Sequence, residues 1–210
     1  MAEELRPQDF SGKYLELNGD FKGKDILSTK QFDKASLSKL FKVTQQIEEI
    51  NEGPLHGALL NIIGNTTIIG ILSQNLSFEL SRISFSSAIF KLGGKIISLS
   101  GESIYPEQTA KDAMTEFQTS SVDLIISTYP KKELYETRTN NIPPLINASE
   151  GVGGSLINAL AELYEAYIKE TRPNTTGSKK SNILHVEMAL LTLVLGKEIP
   201  CNKSYIPEEA

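Results

Sequence analysis

Apolar residues along this chain alternate between short continuous runs and helically spaced sets. The continuous runs lie in TTIIGILS, KIISLS, VDLIIST and PPLIN, which follow one another between residues 66 and 147 and predict four strands. Between them, apolar residues three or four positions apart predict helices over 85–92, where two glycines follow, and over 107–118. Another helix is predicted over 154–169. This alternation predicts a three-layer α/β domain, with a mostly parallel four-stranded sheet flanked by helices on both faces.

The two ends of the pattern predict two further helices. Ser28 and Gln31 have the spacing of a capping box and precede apolar residues at helical spacing over 32–47. Residues 171–182 are polar, contain proline and glycine and show no periodicity, so they are predicted to be a linker. The run ILHVEMALLTLVLG then predicts an amphipathic helix within 183–197. A single helix of this length is unstable alone in water, so we expect it to dock on the main domain.

Composition and charge narrow the possible classes of function. Hydrophobic residues make up 40% of the chain and charged residues 22%, which is an ordinary globular balance. The net charge of -5 argues against nucleic acid as a partner, whose binding sites are basic. The longest apolar run is about half of what a membrane span needs, and the start MAEELRPQDF lacks the features of a secretory signal. We therefore predict an intracellular protein without membrane insertion, with the cytoplasm favoured and an organelle left open.

Generic motifs of binding or catalysis are weak in this sequence. Parallel sheets bind ligands beyond the carboxyl ends of their strands, and the glycine-rich segment 150–155 precedes a helix that could hold an anion there. The segment fits neither nucleotide fingerprint, and a plain tight turn is the favoured interpretation. His56 and His185 lie in unrelated segments without metal-ligand spacing, so neither a metal nor a cofactor is expected. Ser155 has no identifiable base and is not favoured as a nucleophile.

Four segments, taken in order, resemble one enzyme family. They are DILSTKQFDKASLSKLFKV, SRISFSSAIFKLGGKIISLS, PPLINASEGVGGSLINALAELYEAYIKE and MALLTLVLG. The chain resembles aspartate carbamoyltransferase, most closely the form in the eukaryotic pyrimidine-synthesis multienzyme, over residues 25–170 and 183–197. The resemblance implies a carbamoyl-phosphate-binding domain, and it implies that the linker stands where the family has a whole aspartate-binding domain. The expected division is 1–170 for the main domain, 171–182 for the linker, 183–197 for the docked helix and 198–210 for a tail.

The same resemblance places the family's ligand-binding positions on residues poorly suited to the ligand. The family's phosphate loop, Ser-Thr-Arg-Thr-Arg, matches residues 78–82, so Leu80 stands at the phosphate-binding arginine and Glu79 lies beside it. Thr128 stands at the second arginine, and the His-Pro-x-Gln motif falls on residues 155–158. The mobile loop matches GESIYPEQTA, which contains no lysine. The remaining weak candidates for ligand binding are Ser81, Arg82, Thr128, Ser155 and Asn158.

These replacements imply a family member without the transferase activity. Three lost cationic contacts would remove roughly 5–9 kcal/mol of ligand stabilisation. The favoured interpretation is a non-catalytic structural, assembly or regulatory paralogue, forming a homotrimer or a hetero-oligomer within a larger complex, since the family's trimer is built through this domain. A small phosphate- or anion-binding module and residual carbamoyltransferase activity remain as alternatives. The expected contacts between subunits are Phe78, Leu80, Ile104 and Tyr105.

Overall fold

Four strands form one parallel sheet at the centre of the molecule. The structure, a computed structural model, describes residues 17–53, 56–73, 79–100, 110–128, 142–151, 154–172 and 179–199. In those ranges the strands are β1 (Ile68–Ser73), β2 (Lys95–Ser100), β3 (Leu124–Ser127) and β4 (Leu145–Asn147). Their order is β2-β1-β3-β4 and every pairing is parallel, which confirms the predicted sheet. A short antiparallel pair, β5 (Glu150–Gly151) and β6 (Gly154–Ser155), follows in the segment predicted to be a tight turn.

Helices flank this sheet in the described part of the chain. The α-helices are α1 (Lys34–Glu52), α2 (Glu79–Lys91), α3 (Ala110–Thr119), α4 (Leu156–Thr171) and α5 (Lys179–Val194), and short 3-10 helices span Thr29–Gln31 and His56–Asn61. Helix α2 ends where the glycine pair was expected to end it, and Gly93 has a φ of 85°, a left-handed conformation that glycine adopts without strain. None of the helices in these ranges is long and apolar enough to cross a membrane.

The predicted capping box is present, but it does not start the long helix. The Ser28 hydroxyl and the Gln31 side chain cap the 3-10 turn reciprocally, and the Gln31 Oε1 atom accepts from Ser28 N at 3.0 Å. The chain then becomes extended at Phe32, with a ψ of 104°. Helix α1 starts afresh at Lys34, where the Asp33 carboxylate accepts from Ser36 N at 2.9 Å. The predicted start was therefore too early, because a second cap of its own holds α1.

The two faces of the sheet have separate apolar cores. On one face, Ile69, Ile71 and Ile126 pack with α1, α2, α4 and α5 in the larger core. On the other face, Leu72 and Ile125 pack with α3, whose Phe117 is fully buried. Alternating side chains along β1 and β3 thus serve both faces, as expected for a sheet covered on both sides.

Helix α5 is docked on the main body of the molecule, as the sequence predicted. It packs against α1, α4 and α2, and Val186, Ala189 and Leu190 are fully buried. The helix begins at Lys179, four residues before the predicted position 183. This earlier start is consistent with the low cost of adding a turn to a helix that packing has already formed.

Candidate functional site

The candidate site lies at the carboxyl edge of the sheet, where the strands end in polar residues. Ser73 ends β1, Ser127 ends β3 and Asn147 ends β4. The register pairs Ser127 with Leu72 on one side and with Asn147 on the other, so these strand ends lie in adjacent rows. An edge of this kind is where open parallel sheets bind ligands, so its polar groups define the place to look for a site.

Thr128, directly after β3, has its polar groups bonded to the neighbouring strand. Its backbone N donates to Leu72 O at 2.9 Å, and its hydroxyl donates to the same oxygen at 3.3 Å. The side chain is fully buried. The resemblance places a ligand-binding arginine at this position. Here Thr128 instead bonds to the backbone of β1 at the end of the sheet.

Ser155 and Asn158 are brought together by the first turn of α4. Ser155 is the N-cap of this helix, and its hydroxyl accepts from Asn158 N at 3.4 Å. Ser155 is only 7% exposed, so its hydroxyl needs such a partner within the protein. The contact satisfies one of the N–H groups that every helix leaves unpaired at its start. The Ser155 side chain thus has a local structural role at the start of α4, and Asn158 contributes its backbone N–H to the same contact.

The other predicted residues lie on α2 or outside the described ranges. Arg82 is half-buried within this helix, and Ser81 precedes it. The side chains of Ser81 and Leu80 lie outside what the structure describes, as do residues 78, 104 and 105, so the predicted contacts Phe78, Ile104 and Tyr105 remain predictions. The structure therefore places Arg82 on a different element from Thr128 and from the cap of α4.

The hydrogen-bonded group at the end of β4 was missed as a candidate site. The Asn147 Oδ1 atom accepts from both the backbone N and the hydroxyl of Ser149, at 3.0 and 2.6 Å. Its Nδ2 group donates to Leu27 O at 3.2 Å. Ser73 and Ser127, both buried, were missed as well. The sequence does show that a polar residue ends each of these buried strands. It does not show to which backbone groups that residue bonds.

The described residues contain no arrangement suited to a metal ion. In these ranges, no three His, Cys, Asp or Glu side chains lie close enough to hold a metal. His185 is fully buried in α5, and its Nε2 atom lies 3.1 Å from Asn51 Nδ2 of α1. Burial lowers the pKa of His185, which favours the neutral ring. The contact fits the structural role expected for His185. The side chain of His56 is not among those that the structure describes.

Comparison with solved structures defines the class of protein to which this fold belongs. An aspartate transcarbamoylase from Trypanosoma cruzi, in complex with aspartate and phosphate, matches 71% of this chain and 45% of its own, with a TM-score of 0.57 and 25% identity. A putative aspartate carbamoyltransferase from Leishmania major covers 81% of this chain and 55% of its own, with a TM-score of 0.58 and 20% identity. The fold is therefore the α/β fold of the aspartate carbamoyltransferases.

Sequence comparison leads to the same family. A chloroplastic aspartate carbamoyltransferase from Arabidopsis thaliana is 26% identical over 151 residues, which cover 69% of this chain and 37% of that protein. The catalytic subunit from Leptospira biflexa is 31% identical over 153 residues, with coverages of 67% and 45%. The multifunctional protein CAD of Squalus acanthias is 28% identical over 171 residues, 76% of this chain and 7% of CAD. No protein-family model matches the chain.

The chain is thus a member of the aspartate carbamoyltransferase family, matched over about 70% of its length. It spans less than half the length of the Arabidopsis thaliana and Leptospira biflexa relatives. Bacterial and eukaryotic relatives match it at similar identities, 31% and 26%, so the comparison establishes the family without favouring its eukaryotic branch.

Proposed function

We propose that this chain is a non-catalytic member of the aspartate carbamoyltransferase family that serves as a structural, assembly or regulatory subunit. The observation that carries the proposal is at the carboxyl edge of the sheet. Thr128 stands where the resemblance places a ligand-binding arginine, and both its N–H and its hydroxyl bond to Leu72 O inside the protein. A residue buried in this way offers no cation to a phosphate group, and it satisfies its own polar groups without a ligand.

The cap of α4 supports the same proposal. The resemblance places the family's His-Pro-x-Gln motif on residues 155–158, and here the Ser155 hydroxyl caps α4 by accepting from the backbone N of Asn158. Charge-assisted hydrogen bonds contribute roughly 1.5–3 kcal/mol each. The loss of three cationic contacts then weakens ligand or transition-state binding at least about a thousandfold, since each 1.4 kcal/mol is a factor of ten.

The proposed domain division follows from the resemblance. Residues 1–170 form the carbamoyl-phosphate-binding-like domain, 171–182 stand in place of an aspartate-binding domain, and 198–210 form a tail. The structure extends the docked helix of the 183–197 segment back to Lys179, which shortens the linker. A domain that keeps the fold but lacks the second substrate's domain is suited to assembly rather than to turnover.

An activity assay tests the central proposal. The purified chain is incubated with carbamoyl phosphate and aspartate, with the Leptospira biflexa catalytic subunit as positive control. We expect no carbamoyl aspartate above background. Turnover that scales with protein concentration, survives repurification and falls in the Arg82→Ala variant would contradict the proposal and favour residual transferase activity.

A thermal-shift measurement with inorganic phosphate tests the anion-binding alternative. The proposal expects no change in melting temperature with phosphate beyond that caused by chloride at equal ionic strength. A phosphate-specific increase that saturates would favour a small anion-binding module at the edge of the sheet, because a ligand that binds the folded state raises its stability.

Assembly is the proposed role, either as a homotrimer or in a hetero-oligomer within a larger complex. One relative carries the name multifunctional protein CAD, which is consistent with membership of a larger assembly. The contact expected from the sequence joins Phe78 of one subunit to Tyr105 of the next. Light scattering at micromolar concentration is expected to show a ligand-independent trimer, which the paired change Phe78→Ser and Tyr105→Ser weakens without altering the circular dichroism spectrum.

A wild-type chain that is monomeric under those conditions would exclude the homotrimer and leave a hetero-complex, which a pull-down from the native organism would identify.

The compartment is proposed as intracellular, with the cytoplasm favoured. Relatives named chloroplastic, from Arabidopsis thaliana and Pisum sativum, keep an organelle among the alternatives.

A further inference from the structure

The junction between α2 and α5 contains a buried carboxyl group. Glu187 lies on α5 and is 1% exposed, between the fully buried residues Val186 and Met188. Its Oε2 atom accepts a hydrogen bond of 2.6 Å from the Ser84 hydroxyl of α2. A carboxyl group in such a place usually has a cationic partner, because burying a charge without one is strongly unfavourable.

The charged groups of α2 do not compensate Glu187. Lys91, at the end of α2, is exposed and donates to Asn51 Oδ1 of α1 at 3.2 Å. Arg82, two residues before Ser84, is half-buried. The influences on the pKa of Glu187 are burial, which raises it, and the Ser84 hydrogen bond, which lowers it. No cation is among these influences.

The charged side chains that the structure describes on α1, α4 and α5 bond to other partners or are exposed. On α1, Glu48 accepts from the Tyr164 hydroxyl of α4 at 2.8 Å, and Glu49 pairs with Arg172 at 2.7 Å. On α5 itself, His185 contacts Asn51. Glu165 of α4 pairs with Lys169, and the other charged side chains of α1 and α4 are exposed: Lys34, Lys39, Lys42, Glu52, Glu162 and Glu170.

We propose that the α2–α5 junction is a pH-sensitive latch: α5 stays docked against α2 while the buried Glu187 carboxyl is neutral, and loss of its proton favours release of the helix, an effect that the Ser84 hydrogen bond offsets only in part. The neutral carboxyl can share a hydrogen bond with the Ser84 hydroxyl at no charge-burial cost. The ionised carboxylate would have one hydroxyl donor and no cation among the described residues. Release places it in water, where it is fully solvated, and uncovers apolar residues of α5 and its partners.

The direction of the pH dependence follows from burial. The pKa of Glu187 is raised from 4.5 to about 8 in the docked state. The docked state therefore binds the proton more tightly than the released state does, and its advantage is greatest at low pH. That advantage is lost as the pH rises between these two values, at about tenfold in the docking equilibrium for each pH unit, and then levels off.

Hydrogen exchange across pH tests the latch in the full chain. Exchange of a peptide covering 186–194 is measured from pH 5 to pH 9, corrected for the intrinsic rate, and compared with a sheet peptide covering 68–73. We expect the protection of α5 to fall with pH up to about 8, relative to the sheet. In Glu187→Gln this dependence should disappear, while the exposed control Glu52→Gln should behave like the wild type.

The Ser84→Ala variant tests whether the pH dependence comes from Glu187 at this junction. Because the Ser84 hydrogen bond lowers the pKa of Glu187, its removal should raise the pH at which protection stops falling. This variant also serves if Glu187→Gln fails to fold. A wild-type α5 whose protection relative to the sheet does not change between pH 5 and pH 8, or a Ser84→Ala profile that coincides with the wild type, would overturn the proposal.

Discussion

The apolar core beneath the sheet and the polar carboxyl edge satisfy their buried groups in different ways. In the core, Ile126 of β3 and Leu190 of α5 are fully buried among other apolar side chains. Thr128 at the edge and Ser155 at the start of α4 are buried too, but each hydroxyl bonds to the protein backbone. Core packing supports the fold in any member of the family. Hydroxyls bonded to the backbone support the fold as well, and they leave fewer hydrogen-bonding groups available to a ligand.

This difference is consistent with the proposal that the chain keeps the family's fold without its catalytic activity. A ligand site keeps polar groups whose partners arrive with the ligand, so an empty site carries an energetic cost. Here Asn147 meets Leu27 O and Ser149, and Thr128 meets Leu72 O, so these groups have partners when no ligand is present. Substitutions in the core and at the edge should therefore both act on stability, with the larger effects in the core.

The largest effect is expected from Leu190→Asp, which places a charge in the packed surface of α5. Leu190 is fully buried in the core shared with α1, α2 and α4. An unpaired buried charge should reduce the free energy of unfolding by several kcal/mol, a large part of the total stability of a domain. Urea denaturation of the soluble protein measures the change.

Leu163→Asp is the matched control, because Leu163 lies on α4 but is 46% exposed. Its effect should stay within about 0.5 kcal/mol, as for most surface substitutions. If Leu190→Asp unfolded at the same urea concentration as the wild type, α5 would not depend on its contact with the core, and the contrast between core and edge would be wrong.

A smaller effect in the core is expected from Gly70→Ala on β1. A Cβ atom at Gly70 would lie 2.8 Å from the Phe117 ring, so the ring or the strand must move. Overpacking of this kind costs about 1–3 kcal/mol. The control is Gly57→Ala, where an added Cβ meets nothing within 4 Å. Melting temperatures of the two variants should separate clearly; equal values would show that α3 adjusts freely.

The sequence predicted the core better than the edge, for a physical reason. Strands and helices follow from local spacing of apolar residues, and the predicted four-stranded sheet and docked helix are confirmed. The bonds at the edge join residues far apart in the chain, such as Thr128 to Leu72 and Asn147 to Leu27. No local pattern specifies such pairs, so the sequence could indicate where polar residues end the strands but not what they bind.

Helix starts were also harder to predict than helices. Ser28 and Gln31 have a true capping geometry, yet the turn that they cap is a 3-10 helix that ends at Gln31. Asp33 then caps α1 without an acidic residue or amide three positions later to mark it. Two adjacent caps compete for the same start, and only the backbone conformation at Phe32 decides between them.

The smallest effect is expected at the edge, from Ser155→Ala, and it bears most directly on what the edge does. Loss of an N-cap side chain costs about 1 kcal/mol, and the 3.4 Å bond to Asn158 N places this cap towards the weaker end. Ser155→Asn, which supplies another capping oxygen, should recover most of the loss in urea denaturation. If Ser155 instead served a phosphate, Ser155→Ala would remove a phosphate-dependent rise in melting temperature while changing stability little without phosphate. A stability loss that is the same with and without phosphate, and that Asn restores, assigns this hydroxyl to the helix alone.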